Sequence, residues 1–228
     1  VSEKPLHAAL KQWYAQPDDK LEAPLDSYII DIVRGDLLIE IQTRNFSAIR
    51  KKLLELTERY PVRLVYPIAQ AKWIVKISND GQRKPTRRKS PKRGKVEEVF
   101  AELVSFPKLL ADPNFSLEVL LIHEEESRRH DTKRGWRRRG WVTHERRLLK
   151  VVEQKLFETP ADLAGLLPRT LPDPFTTADL ASAISQRRRL AQRMAYCLRE
   201  LGAITQVGRS GRSILYSRAA GDDEAERD

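Results

Sequence analysis

The chain has 228 residues, enough for one large domain or two small ones. Its 42 Lys+Arg against 32 Asp+Glu give a net charge of +10, which suits a polyanionic partner, nucleic acid before an anionic membrane surface. A single cysteine, Cys197, excludes an intrachain disulfide and a four-cysteine or two-cysteine, two-histidine zinc site. No signal peptide and no apolar run of about 18 residues is present, so no membrane span is expected and a reducing cytoplasm is the expected compartment.

Residues 6–15 read as an amphipathic helix, with Leu6, Ala9, Leu10 and Trp13 on one face and Pro5 tolerated in the first turn. His7, Lys11 and Tyr14 form a second stripe. Residues 16–24 read as a polar loop.

Residues 27–43 read as a β-hairpin turning at Gly35-Asp36. That register sets Arg34 opposite Leu37, Val33 opposite Leu38, and Asp31 opposite Glu40. One face then carries Ile29, Asp31, Val33, Leu38, Glu40 and Gln42; the other carries Ile30, Ile32, Leu37, Ile39 and Ile41. Two acids set side by side among aliphatics repel each other and need a cation. No Lys or Arg lies on that face, so an oxygen-liganded divalent metal is one answer. An exposed polar patch, or a pair satisfied by a distant arginine, is the other. Asp26 falls on the opposite face and is a second-choice ligand.

Residues 45–60 repeat Phe46, Ile49, Leu53, Leu56 and Tyr60 at helical spacing, and residues 62–68 follow as an aliphatic strand. Strand, helix, strand implies a crossover onto a parallel neighbour. Residues 72–77 read as another strand. Residues 82–95 are the most basic run, read as a mobile arm in which Arg87, Arg88, Lys89, Lys92 and Arg93 track phosphates. A helix over 96–110 and a strand over 115–122 complete a mixed sheet packed with helices.

Asp31, eight residues, then Glu40-Ile41-Gln42 resembles the PD-(D/E)XK nuclease signature in its E-x-Q form, over about the first 125 residues. The resemblance implies a restriction-endonuclease-like core. In it Asp31, Glu40 and the Ile41 backbone carbonyl hold Mg²⁺ or Mn²⁺. Gln42 stands in the third position, usually lysine, which positions the attacking water. Glutamine cannot act as a general base, and Ile30 replaces the proline that normally precedes the aspartate. First-helix acids sometimes join such sites, which makes Glu3 a candidate; Lys11 is a candidate substitute for the missing lysine.

Residues 123–140 pass from three glutamates to a run of arginines, read as a linker. Trp136 and Trp141 punctuate it, Trp141 being expected to pack at the start of the next helix. Beyond it, helices are expected over 143–157 and 160–167, then a helix capped by Thr176 or Thr177 and running to Ile184. A further helix, capped by Ser185, runs to Leu201 and stops at Gly202. Residues 204–218 read as two strands around a glycine-rich turn. This order resembles a winged-helix domain. Its second helix turns Leu190, Ala191, Met194, Leu198 and Leu201 inward. Arg188, Gln192, Tyr196 and Arg199 face outward, with Arg189 at the flank and Arg209 and Arg212 on the wing.

The expected organisation is therefore α/β (α+β): a nuclease-like domain over 1–125, a basic linker over 126–140, a winged helix over 141–220 and a disordered acidic tail over 221–228. The expected function is Mg²⁺-dependent endonuclease action on duplex or branched DNA, with a homodimer as one way to make two cuts. The alternative is a non-catalytic DNA-binding protein or transcription regulator built on a degenerate nuclease fold.

Overall fold

The computed structural model of the chain describes residues 4–77, 85–131 and 140–219. Glu3, the start of the basic run (82–84), residues 132–139 with Trp136, and the tail over 221–228 lie outside the described residues. The fold is mixed α/β, and its contacts divide it into two units. One comprises residues 1–44, 62–96 and 118–156; the other comprises 45–61, 97–117 and 157–228.

The first unit is a mixed sheet with a helix on it. After α1 (Pro5–Tyr14) come β1 (Lys20–Leu25), β2 (Tyr28–Arg34) and β3 (Leu37–Ile41), then β4 (Val62–Ile77), β5 (Thr86–Lys89), β6 (Phe115–His130) and β7 (Trp141–Phe157). The sheet order is β1-β2-β3-β4-β6-β7, with β5 paired to β4. The β2–β3 hairpin has the expected register, Arg34 opposite Leu37, Val33 opposite Leu38 and Ile32 opposite Ile39. Gly35 takes φ +56, the left-handed conformation that such a turn requires. β3 pairs parallel with β4, as the strand–helix–strand order implies. Leu6 and Leu10 of α1 pack on Ile32, Ile39 and Ile41 with Val65, Leu120 and Ile122, so the all-aliphatic face of the hairpin is core.

Several expectations fail here. Residues 16–24 contain a strand, β1, because Ala23 and Leu25 pair with Ile30 and Tyr28 of β2. Residues 62–68 and 72–77 are one strand; Pro67 is accommodated because the β3 ladder stops at Val65. The basic run, expected as a mobile arm, pairs with β4 through Thr86–Lys89, and Gly94 packs so closely on Ala69 that a Cβ there would lie 2.6 Å from its carbonyl oxygen. Residues 143–157 are not a helix but the strand β7, and 126–130 are the end of β6 rather than a linker. Leu148, Leu149, Val151 and Val152 satisfy a helical spacing, but here they run beside β6. Trp141 likewise starts a strand, with Lys76 Nζ 4.7 Å from its ring centre.

The three glutamates at the start of the expected linker are partly interior. Glu124 and Glu126 are buried. Lys72 of β4 lies 2.8 Å from Glu124 and 2.9 Å from Glu126; Arg146 of β7 reaches Glu124 at 2.5 Å, and Arg128 reaches Glu126 at 2.6 Å. Burial pushes the Glu126 carboxyl up, but hydrogen bonds from Lys72 and Arg128 outweigh it and hold the group down at about 2.

The second unit collects short helices. The helix expected over 96–110 is broken into 3-10 turns at Val96–Val99 and Leu109–Ala111 around a single turn, α3 (Phe100–Leu103), because Pro107 cannot donate within a helix. α2 (Arg50–Thr57) belongs to this unit, as does a cluster in which Phe46 stacks on Phe106 at 5.4 Å. α4 (Pro160–Ala164) and α5 (Thr177–Ala183) each start in a capping box, on Thr159 with Asp162 and on Thr176 with Asp179. α6 (Arg188–Glu200) is capped at Arg187, not Ser185, whose φ of +51 places it in the preceding turn. At the other end Gly202 takes φ +74 and the Ala203 amide returns to the Leu198 carbonyl at 2.9 Å, a Schellman stop. β8 (Ile204–Ser210) and β9 (Ser213–Arg218) form the expected hairpin. α6 buries Ala191, Met194, Ala195, Cys197 and Leu198, and Arg193 donates to the Ala101 carbonyl at 2.8 Å.

The sign of the Glu126 shift sets a pH dependence. Its carboxyl is depressed from 4.5 to about 2, so its contribution to stability is complete above pH 4.5 and fades as pH falls toward 2. Urea unfolding followed between pH 6 and 2 should show a slope in that window that is shallower in Glu126→Gln.

Candidate functional site

The acids named from sequence are brought together at the open end of the β2–β3 pair. In an unbroken ladder the Ile41 amide would donate to the carbonyl of Ile30. Here it donates instead to Asp31 Oδ2 at 2.8 Å, and the Asp31 amide leans on Glu40 Oε1 at 3.4 Å. Each carboxylate thus accepts from backbone of this short segment, which fixes both beside it. Glu40 is 6% exposed.

β1 is irregular at the same level. Its register passes from Leu21 opposite Ile32 to Ala23 opposite Ile30, and Glu22 between them takes φ +50. α1 reaches across with one helical turn. His7 Nε2 lies 3.1 Å from Asp31 Oδ2, and Lys11 donates to Glu22 Oε1 at 2.5 Å. The sequence spacing that put His7 and Lys11 on one stripe is what lets both reach this edge.

His7 is the group the sequence reading left without a role. Its position four residues before Lys11, on a stripe separate from the apolar one, was the available signal. Lys11, a candidate for the missing lysine, directs its ammonium to Glu22. Asp26, the second-choice ligand, sits in the β1–β2 turn at φ +52, off the strand that carries Asp31. Gln42 follows β3 directly and its backbone N–H donates to the Val65 carbonyl at 2.9 Å. Among the described residues, no group of three or more His, Cys, Asp or Glu side chains is arranged to hold a metal ion.

The donor chemistry nonetheless fits a small hard cation. Mg²⁺ is ordinarily held by one or two carboxylates, with water and substrate phosphate completing the shell. Asp31 and Glu40 supply two carboxylates.

Two basic surfaces belong to this chain as well. In the first unit Arg87 and Lys89 of β5 lie 5.1 and 5.2 Å from the Trp73 ring centre, and His123 meets that ring edge-on at 5.5 Å. Burial lowers the His123 pKa, and the charges of Lys150, Lys89 and Arg93 lower it further, so these cations converge on one patch. Trp73, His123 and Lys150 were not anticipated, because only pairing of β4 through β7 assembles them. In the second unit Arg188, Arg189, Gln192, Tyr196 and Arg199 are exposed along α6, and Arg209 and Arg212 are exposed on the hairpin that follows. Arg199 covers the Tyr196 ring at 5.6 Å, and Arg188 reaches Ser213 Oγ at 3.5 Å.

Comparison with known proteins gives a match over residues 4–158 to the family described as "Domain of unknown function (DUF8091)". An uncharacterized protein of Treponema pallidum (strain Nichols) is 31% identical over 215 residues, covering 93% of this chain and 84% of its own length. No solved structure matches.

The Asp31 carboxylate is a structural acceptor as well as a candidate ligand, and the two roles separate by substitution. Asp31→Ala leaves the Ile41 amide without its acceptor and should lower stability by about 1–3 kcal/mol in urea unfolding. Asp31→Asn keeps an oxygen in place and should cost less than half of that.

Proposed function

This chain belongs to the DUF8091 family, which carries no activity with it, and we propose from the geometry alone that it is a metal-dependent nuclease acting on DNA. The observation that carries the reading is the placing of Asp31 and Glu40 on adjacent strands, both turned onto one stretch of backbone, with His7 against Asp31. The chain order around them also supports it: a helix, three antiparallel strands, a helix, and a strand parallel to the third. Within it, strand, helix and parallel strand is the order that the resemblance to the PD-(D/E)XK nucleases implies.

In this reading Asp31 and Glu40 hold the cation, and the Ile41 carbonyl lies between the last two motif positions. A bound Mg²⁺ or Mn²⁺ would supply Lewis acidity at the scissile phosphate and acidify a water. Gln42 orients that water or a phosphate oxygen by hydrogen bonding, and does not take its proton. The imidazole of His7 can accept and return a proton while holding Asp31 in place. α6 and its hairpin form a winged-helix-like module whose arginines, Gln192 and Tyr196 meet DNA, while Arg87, Arg88, Lys89, Lys92 and Arg93 contact phosphates.

One arrangement favours a second reading, a nuclease-like fold that binds DNA and does no chemistry. Asp31 Oδ2 is already engaged by the Ile41 amide and His7, and Gln42 stands where a lysine is usual.

The test is incubation of supercoiled, linear, single-stranded and branched DNA with Mg²⁺, Mn²⁺ or chelator. The wild type should cleave at least one form in a cation-dependent way. Asp31→Asn should lose at least about 10-fold of that rate while retaining DNA affinity. Absence of cation-dependent cleavage, or cleavage untouched by Asp31→Asn, overturns the reading in favour of the second. For the helical module, Arg188→Ala and Arg189→Ala should each lower the slope of log affinity against log salt by about 1.

A further inference from the structure

A cleft of about 220 Å³ opens in the first unit, lined by Lys4, Pro5, Leu6, Thr43, Arg44 and residues 143–146. Its walls adjoin the candidate site through the chain: Leu6 precedes His7, and Thr43 follows Gln42. Its charges are unequally matched. Arg146 is committed to Glu124 at 2.5 Å, and Glu145 to Arg147 at 3.1 Å. Among the described residues Lys4 and Arg44 form no ion pair, and both are exposed. Thr43 brings a hydroxyl group to the same walls, whereas the Thr143 hydroxyl donates to Glu126 at 3.0 Å. Among the described residues the cleft therefore presents two cations outside any ion pair and the Thr43 hydroxyl.

We propose that this cleft binds a terminal phosphate of a nucleic-acid strand. Size and charge select that class. At ~30 Å³ per water the space holds about seven waters, enough for a phosphate and part of its sugar. It falls below the ~300–1,000 Å³ of pockets that enclose whole drug-sized ligands. A backbone phosphodiester carries one negative charge, whereas a phosphomonoester carries about −1.5 to −2 at neutral pH and three acceptor oxygens. Lys4 with Arg44 matches the second. Arg44 brings a planar fork of donors suited to phosphate oxygens and Lys4 a compact charge. The proposal rests on the nuclease reading for its meaning, since an end held two residues from Gln42 would make cleavage proceed from phosphorylated ends. Its binding claim stands apart from cleavage.

Fluorescence anisotropy of the full chain, in chelator, tests it with short single strands ending in 5′-phosphate, 3′-phosphate or hydroxyl. One phosphorylated strand should bind about tenfold more tightly than the hydroxyl-ended strand, a difference of one decade in Kd. Lys4→Gln combined with Arg44→Gln should erase that ratio, and both side chains are exposed, so the fold is retained. Arg189→Gln, on the second unit, should weaken all strands alike and leave the ratio intact. Inorganic phosphate should compete far less well than the phosphorylated strand at equal concentration. Equal affinity for all ends, a ratio that survives the double substitution or falls with Arg189→Gln, or equal competition by inorganic phosphate overturns the proposal. Because chelator removes cleavage from the measurement, an end preference without nuclease activity keeps the cleft assignment. Nuclease activity without end preference removes only that assignment.

Discussion

Much of the candidate site depends on one hydrogen bond, from the Ile41 amide to the Asp31 carboxylate. An amide inside a sheet must be paired, and a carboxylate in its place makes a charge-assisted bond stronger than a neutral one. The exchange has a geometric effect. It ends the β2–β3 ladder at Ile32 and Ile39 and turns Asp31 toward the gap, where Glu40 already faces the Asp31 amide. Both carboxylates are thereby held against the backbone of one short segment.

α1 holds this opening from one side. Leu6 and Leu10 seat the helix on Ile32, Ile39 and Ile41, so burial fixes its height and rotation. His7 and Lys11, one turn apart, then meet Asp31 and Glu22. At the far end Tyr14 donates to Glu118, and Arg34 donates to the Tyr14 carbonyl at 2.8 Å. Burial pushes the Tyr14 hydroxyl up to about 12, so it remains a donor across the physiological range. A helix anchored at both ends allows little play in the imidazole, as positioning a reacting group requires.

What local pattern determines was legible in the sequence. The Gly35-Asp36 turn fixed the register of Asp31 against Glu40, the Leu6/Leu10 spacing marked α1, and Thr176, Gly202 and the Gly211 turn marked the helices and hairpin of the second unit. What partners across the chain determine was not. Residues 143–157 satisfy helical spacing as well as strand pairing, and only β6 decides between them. The burial of Glu124 was not legible because Lys72 and Arg146, which neutralise it, lie more than 20 residues away in sequence. The basic run looked unfoldable until Trp73 and the β4 edge supplied somewhere for Arg87 and Lys89 to lie. The division into units escaped for the same reason, since residues 45–61 and 97–117 join the C-terminal helices rather than the sheet that surrounds them in sequence.

The solitary thiol of Cys197 lies on the inward side of α6, and burial pushes it up to about 12. Such a group offers no thiolate to an alkylating or oxidising reagent while the helix stays seated. Its labelling rate therefore clocks the opening of the C-terminal unit alone. Since no other sulfhydryl in the chain competes for the label, the opening frequency of that unit can be followed without inserting any foreign probe.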